Sequence, residues 1–321
     1  MRALQIQSIG AEPVLVNLPL PQPGTGEVRV RIATCGLNFA DLLMMRGEYQ
    51  ERPTPPFTLG FEPAGTIEAV GAGVAETLLG TRVAVFAGHG GLAEAGCFAQ
   101  HRCLALPDAM GFEEAAAFQI AYGTSHLALS LRARLLPGET LLVLGAAGGV
   151  GLSAVEIGRR MGARVIAVAR GPERLAVAEA AGAAHLIDSA AGNIKGAVRA
   201  LGGADVVYDA VGGDLARQAM AATNPGGRYL LIGFASGKVP EFAANHLLVK
   251  NITLHGFYWG GYQKLSPESL AFSLQTLLGW YVLGALHPHI GKVLPLSRAP
   301  EALSLLRDRA STGKIVVTMA E

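Results

Sequence analysis

The sequence predicts an α/β chain of two domains, one built on a doubly wound parallel sheet and the other β-rich and barrel-like. Three observations carry this. The chain has 321 residues, too many for one ordinary core. Its first third has β-type patterning, and from about residue 121 strand and helix signals alternate, which implies parallel strands joined by crossover helices. Half of the residues are hydrophobic and 16% are charged, enough apolar surface for a large core.

In the first part, "EVRVRIAT" alternates strictly, "GTIEAVGAG" and "GTRVAVFAG" are short strands ending in glycine, and proline clusters at 19–23 and 53–56 mark loops. The second part runs "TLLVLG", a helix from Val150, "RVIAVA", a helix from Pro172, "HLID", a helix near 193–201, "DVVYDA" and "RYLLIGF". "NITLHGFYW" adds a strand at 251–259. After it Ser266 is an N-cap candidate, with Pro267 at the first helical position and Gly284 just past the end. The tail "GKIVVTMAE" reads as a last strand returning to the first domain, so the expected division is 1–120 with 262–321, and 121–261.

The net charge is +1 and the basic residues are scattered, so no nucleic-acid partner is expected. Three cysteines, Cys35, Cys97 and Cys103, cannot all pair, and the opening "MRALQIQS" lacks an apolar signal region, so a cytoplasmic protein is expected. Windows 140–155 and 269–286 are uncharged. The first is broken by glycines and the second opens with the helix start "SPES" and carries Ser, Gln, Gly and Tyr, so no membrane partner is expected either.

The stretch "LLVLGAAGGVGL" at 141–152 places a glycine knot between a strand and a helix. Glycines there permit the tight turn, let the backbone approach a pyrophosphate and allow the helix to pack on the strand. The helix N-terminus then offers free N–H groups and a positive dipole end to the anion, which makes Gly148, Gly149 and Val150 the expected contacts. The knot departs from a full G-x-G-x-x-G because its first required position is Ala146. NAD sites carry an acid at the end of the second strand, about 20 residues on. Here "RVIAVARGPER" offers Arg170 and Arg174, and two guanidiniums suit a 2′-phosphate, so NADPH is the expected cofactor.

With "AAGGVG" and "VVYDAVGGD" in place, the chain resembles the medium-chain dehydrogenase/reductase superfamily, and within it the zinc-free, ζ-crystallin-like quinone oxidoreductase branch. "GLNFADLLMMRGEY", "LGFEPAGTIEAVG", "GGRYLLIGFASG" and "HLLVKNITLHGFYWG" are similar to that branch, so the resemblance spans nearly the whole chain. It implies a Rossmann sheet plus a GroES-like barrel domain. Zinc-dependent relatives place a Cys in the first of these segments and a His in the G-H-E of the second, where this sequence has Asn38 and Phe61. A catalytic zinc needs three protein ligands, and His89, Cys97, His101 and Cys103 show none of the usual short spacings, so no metal is expected.

The resemblance implies NADPH-dependent reduction of quinones or similar conjugated carbonyls, the nicotinamide supplying the hydride and the protein orientation and exclusion of water. The alternative is an NADPH-dependent enoyl-thioester or 2-alkenal reductase with Tyr49 of "RGEY" as proton donor, since a positioned phenol can act as a general acid. Otherwise the Tyr49 ring packs and its hydroxyl binds the cofactor. Asn38 is expected at the nicotinamide or its ribose, and Asp41 either in catalysis or as the cap of a helix beginning near Leu42. Carried over position by position, Thr124 falls near the nicotinamide and Arg309 reaches the nucleotide. Gly233, Phe234 and Ala235, and then Phe257 and Tyr258, end successive strands where ligands bind. Ser189 stands where some NADPH-specific relatives carry a Tyr, and His126 where a Tyr is frequent. The resemblance also implies a homodimer through the apolar edge strand near Ile252 to Tyr258. A third reading is a non-catalytic nucleotide- or RNA-binding protein, against which the near-neutral charge counts.

Overall fold

Residues 141–144 and 206–208 are buried throughout, the pattern of strands covered on both faces. They belong to a six-stranded parallel sheet whose order is His185–Asp188, Arg164–Ala169, Thr140–Leu144, Ala204–Asp209, Thr223–Leu231, Thr253–Gly256. The strand of this sheet that comes first in the chain, Thr140–Leu144, is thus third in the sheet, and the order reverses between it and Ala204–Asp209, the topological switch of a doubly wound fold. Helices Gly149–Arg160, Pro172–Ala180, Ile194–Ala200 and Gly213–Ala222 make the crossovers. The core on one face joins Leu142, Ile166, Val168, Val207 and Tyr229 to Ile194, Val198, Ala216 and Met220.

The computed structural model describes residues 1–320. The six-stranded sheet lies in the unit Ala121–His287, and the other unit comprises Met1–Ile120 with Pro288–Glu321. In that second unit the strand Glu27–Gly36 buries Val28, Val30 and Ile32 on one face, as its alternation predicts. It pairs antiparallel with Glu62–Val70 on one side and, along its length, with Ala95–Ala99 and Lys314–Thr318. Strands Arg82–Val85, Cys103–Ala105 and Ile290–Pro295 complete this seven-stranded sheet, and Val14–Asn17, Arg2–Ile6 and Phe57–Thr58 form a three-stranded one.

Four expectations need correction. Residues 262–287, expected with the β-rich unit, group with the parallel-sheet unit. The helix Pro267–Val282 is held there by side chains: Ser273 Oγ lies 2.8 Å from His126 Nδ1, and Trp280 meets the His126 ring edge-on at 5.2 Å. The Arg160 guanidinium covers the same indole at 5.6 Å, and Glu156 Oε1 accepts from the His287 N–H at 2.9 Å. His126 is therefore a buried packing residue whose own protonation is disfavoured by burial. The strand expected at 251–259 is shorter, Thr253–Gly256, because Asn251 (φ 53°) closes the preceding helix Ala244–Lys250 in the left-handed region and Trp259–Gly261 coils into a 3₁₀ turn. Ser266 does stand at the helix N-cap, but its hydroxyl bonds the Glu268 carboxylate and lies 2.8 Å from Ser269 Oγ instead of capping a backbone N–H. The helix expected from about Leu42 begins at Phe39, with Asn38 as N-cap and Asp41 in the first turn. Among the described residues no helix is long and apolar enough to cross a membrane.

Candidate functional site

In the parallel-sheet unit, Thr140–Leu144 runs into Gly145, whose φ of 74° suits glycine. The N–H groups of Gly145 and Ala146 both reach the Val168 carbonyl at 3.0 Å, pinning the turn to the neighbouring strand. Helix Gly149–Arg160 starts immediately, with Gly148 as N-cap. A Cβ on Gly151 would lie 2.1 Å from the Gly145 carbonyl oxygen, so only glycine lets the first turn sit this close to the strand. Gly148 is exposed, and a Cβ there would meet nothing nearer than Gly145 O at 3.5 Å. The carbonyl of the cap Gly148 is the first intrahelical acceptor and serves the Leu152 N–H at 2.8 Å, which leaves the N–H groups of Gly149, Val150 and Gly151 directed out of the helix end. Close packing below and an open glycine surface above fit a dinucleotide pyrophosphate.

A buried hydroxyl network, which sequence reading missed, holds this turn from behind. Ser125 Oγ and Ser153 Oγ both lie within hydrogen-bond distance of the Val150 carbonyl oxygen, at 3.0 Å, Ser153 Oγ also lies 2.9 Å from the Ala121 carbonyl, and Ser125 Oγ lies 2.8 Å from both Ser153 Oγ and Tyr208 OH. Burial pushes the Tyr208 phenol well above its ordinary value, so it stays a neutral hydrogen-bonding group. Thr124 precedes Ser125 on the helix Gln119–Leu127 and is itself buried.

Arg170 follows strand Arg164–Ala169 and is exposed, and Arg174 lies in the first turn of the next helix, its guanidinium reaching the Arg170 carbonyl at 3.5 Å. Ala169 pairs with Asp188 in parallel register, so Ser189 follows the adjacent strand, as Arg170 follows its own. Two acids stand here: Glu173 in the first turn of the helix that carries Arg174, and Asp188 at the end of the adjacent strand. Asp188 Oδ1 accepts from the Ala190 N–H at 2.9 Å and the Gly171 N–H at 3.1 Å, and these bonds, with the Arg170 charge, hold its carboxyl below the usual range. The carboxylate thus shapes the loop that carries Arg170.

At the next strand ends, Asp209 is fully buried and accepts from the Val211 and Gly212 N–H groups at 2.8 Å and from Tyr229 OH at 2.8 Å. This bracing, also absent from the sequence reading, sets the loop against which Gly233 and Ala235 lie: their N–H groups donate to Asp209 O at 3.2 Å and Ala210 O at 3.1 Å. Phe234 packs near Gly212, where a Cβ would come within 3.2 Å of its ring. The Phe257 N–H continues the sheet to Leu231 O at 3.2 Å, and its ring tilts against Tyr262 at 5.5 Å. Tyr258 stays part-exposed beside Gly260 and Gly261. The structure thus gathers Gly148, Gly149, Val150, Arg170, Arg174, Ser189, Gly233, Phe234, Ala235, Phe257 and Tyr258 at the carboxyl ends of one sheet.

The β-rich unit holds a second cluster. Asp41 is fully buried. Its Oδ2 accepts from the Asn38 N–H at 2.8 Å and its Oδ1 from the Gly60 N–H at 3.1 Å. It caps its helix and ties it to the loop before Glu62. Asn38, half-buried, bonds Glu62, which is fully buried, and Lys314. Tyr49 is half-buried with its ring edge-on to the buried Phe61 ring, centroids 5.1 Å apart. Arg309, exposed and at φ 54°, follows the helix Ala299–Arg307.

Burial pushes the Asp41 carboxyl up to about 7 despite its two N–H donors. Between about pH 4 and 7 the unfolded chain has lost this proton and the native one keeps it, so the carboxyl lowers stability as pH rises through that window and adds no change above it. The effect is at most a few kcal/mol, a pKa unit being about 1.4 kcal/mol. Asp41→Asn is therefore expected to show a smaller fall in melting temperature from pH 5 to pH 8 than the wild type, and an equal fall would remove this assignment.

The donor set does not suit a zinc ion. Phe61 offers no ligand atom, and the Asn38 and Glu62 side-chain oxygens are bonded to a lysine ammonium, which repels a cation. Among the described residues no cluster of three or more His, Cys, Asp or Glu side chains is arranged to hold a metal.

The strand order and glycine turn define a Rossmann-type dinucleotide-binding class, here joined to a GroES-like unit. Residues 24–111 match the family described as alcohol dehydrogenase GroES-like domain, and residues 149–275 the one described as zinc-binding dehydrogenase. The quinone oxidoreductase-like protein 2 homolog of Nematostella vectensis is 39% identical over 300 residues, covering 92% of this chain and 82% of its own length. The quinone oxidoreductase of Thermus thermophilus, solved also as its complex with NADPH, superposes with a TM-score of 0.88 at 36% identity, over 99% of this chain and 100% of that one. The Escherichia coli quinone oxidoreductase complexed with NADPH superposes with a TM-score of 0.92 at 25% identity, over 99% and 100%. The chain belongs to the quinone oxidoreductase-like branch of the medium-chain dehydrogenase/reductase superfamily, a family of oxidoreductases.

Proposed function

We propose that this protein is an NADPH-dependent reductase of quinones or similar conjugated carbonyls that works without zinc. The observation that carries the reading is the open glycine turn at a helix N-terminus with Arg170 and Arg174 at the neighbouring strand end. Gly148, Gly149 and Val150 hold the pyrophosphate through backbone N–H groups, and Arg170, Arg174 and Ser189 take the 2′-phosphate. Thr124, Gly233, Phe234, Ala235, Phe257 and Tyr258 orient the rest of the cofactor, and the family resemblance assigns Asn38 and Arg309 each a cofactor contact. When bound, NADPH supplies the hydride. Zinc independence is supported by the Asn38, Phe61 and Lys314 arrangement, and quinones suit such a site because they need little activation beyond orientation. Titration of the wild type tests the reading: NADPH is expected to bind at least about tenfold more tightly than NADH, and equal affinity would refute the 2′-phosphate assignment.

Tyr49 decides between the two substrate classes. Its ring is braced edge-on by Phe61, which supports a packing role, so Tyr49→Phe is expected to keep quinone turnover within about threefold. If enoyl thioesters are the better substrates and the same variant loses about 10²-fold or more of that rate, Tyr49 is the general acid and the enoyl reductase reading replaces this one. The unpaired outer edge of Thr253–Gly256 further supports a homodimer through strand pairing, which light scattering tests: twice the chain mass is expected, and a monomer would exclude it.

A further inference from the structure

Lys314 opens the last strand, and its ammonium is buried. It donates to Leu37 O at 2.9 Å, Asn38 Oδ1 at 2.7 Å and Glu62 Oε2 at 2.9 Å. An ammonium has three protons, so its donors are saturated. The Glu62 carboxylate accepts from the Ile120 N–H at 2.7 Å through Oε1, and from Asn38 Nδ2 at 3.2 Å through the oxygen that also faces Lys314. The Asn38 amide therefore lies between one side chain that can only donate and one that, ionised, can only accept. A flip would set its NH₂ against the ammonium and its oxygen against the carboxylate, two repulsive contacts in place of two bonds. Both Nδ2 protons are engaged, on Glu62 and on Gly36 O at 3.3 Å. Asn38 is half-buried, and the polar capacity left to its side chain is the second lone pair of Oδ1.

We propose that Lys314 is a positioning residue that, together with Glu62, locks the Asn38 amide so that Asn38 meets its ligand only as a hydrogen-bond acceptor. The ligand group it takes is a donor, a ribose hydroxyl or a carboxamide NH₂. This rests on the reading of Asn38 as a cofactor contact given above.

The test separates orientation from folding. Lys314→Met alone leaves Glu62 as a buried unpaired carboxylate and is expected to be strongly destabilised. The double variant Glu62→Gln/Lys314→Met removes both charges, and a neutral replacement of a buried ion pair is commonly tolerated. With the new side-chain amide at position 62 accepting from the Ile120 N–H through its oxygen, its NH₂ faces Asn38, whose own amide then turns its oxygen inward and its NH₂ outward. The double variant is expected to melt within a few degrees of the wild type and yet bind NADPH at least about tenfold more weakly, measured by fluorescence titration. Wild-type affinity in a well-folded double variant would overturn the proposal. A second readout needs no cofactor: the Asn38 side-chain ¹⁵N–¹H₂ signals, assigned from their loss in Asn38→Asp, are expected to exchange slowly in the wild type and fast in the double variant. Fast exchange in the wild type, or equal exchange in both, would also overturn it. If the wild type binds no NADPH, the proposed function fails while the amide readout still decides the lock.

Discussion

Replacing Arg170 and Arg174 together by alanine is expected to weaken NADPH binding by roughly 100-fold while changing NADH binding by less than about threefold. A hydrogen bond to a charged group contributes about 1.5–3 kcal/mol, and the exposure of Arg170 and partial exposure of Arg174 put each near the low end. Two such losses make about 3 kcal/mol, at about 1.4 kcal/mol per tenfold. NADH lacks the 2′-phosphate, so it loses nothing at this point. The loop is expected to stay in place: Arg170 is exposed after its strand, Gly171 is held by the Asp188 carboxylate, and the Arg174 bond to the Arg170 carbonyl is long at 3.5 Å. Isothermal titration of both nucleotides at one fixed ionic strength checks the prediction, since salt screens these charges. Equal loss for the two nucleotides would assign the arginines to the fold, and no loss for either would place the 2′-phosphate elsewhere.

Gly151→Ala is expected to cost about 3 kcal/mol or more of stability. The added Cβ would lie 2.1 Å from Gly145 O, 2.8 Å from Gly145 C and 2.9 Å from Ala146 Cα, all backbone atoms that cannot rotate away. Overpacking of a dense interior already costs about 1–3 kcal/mol when side chains can yield, and here the helix itself must lift off the strand. The lifted first turn would also pull Val150 O away from Ser125 and Ser153. Gly148→Ala is the control. Its φ of −85° is open to any residue and its nearest neighbour would be at 3.5 Å, so stability is expected to move by less than about 1 kcal/mol while NADPH affinity falls because the methyl covers the phosphate surface. Thermal melts and NADPH titrations of both variants separate the two roles. A Gly151→Ala protein as stable as the wild type would contradict the packing described for the turn.

The features legible in the sequence are those set by neighbours along the chain. The buried apolar runs, the alternation in Glu27–Gly36, the glycine turn and the arginines after Arg164–Ala169 each lie within one short window. Contacts made across the fold were not legible. Lys314 reaches residues 252 and 276 positions away, Ser125 meets Tyr208 across 83, and no periodicity announces such pairs. The same reason explains residues 262–287: the helix Pro267–Val282 reads alike in either unit, and its place is decided by His126, 147 positions from Ser273. Asp41 shows the limit on the functional side, because a cap and a catalytic acid share one local pattern, and its burial and its bonds to Asn38 and Gly60, invisible in the sequence, show the cap.

A reductase that works with NADPH and without metal needs no zinc for any step. The measurement that tests it most directly is anaerobic NADPH oxidation by purified, EDTA-treated protein, with zinc content measured on the same sample and 1,4-quinones and 2-enoyl thioesters offered in parallel. Quinones are expected to turn over at a rate unchanged by EDTA and by added zinc. No oxidation with either acceptor class, or activity that appears only when zinc is returned, would contradict it.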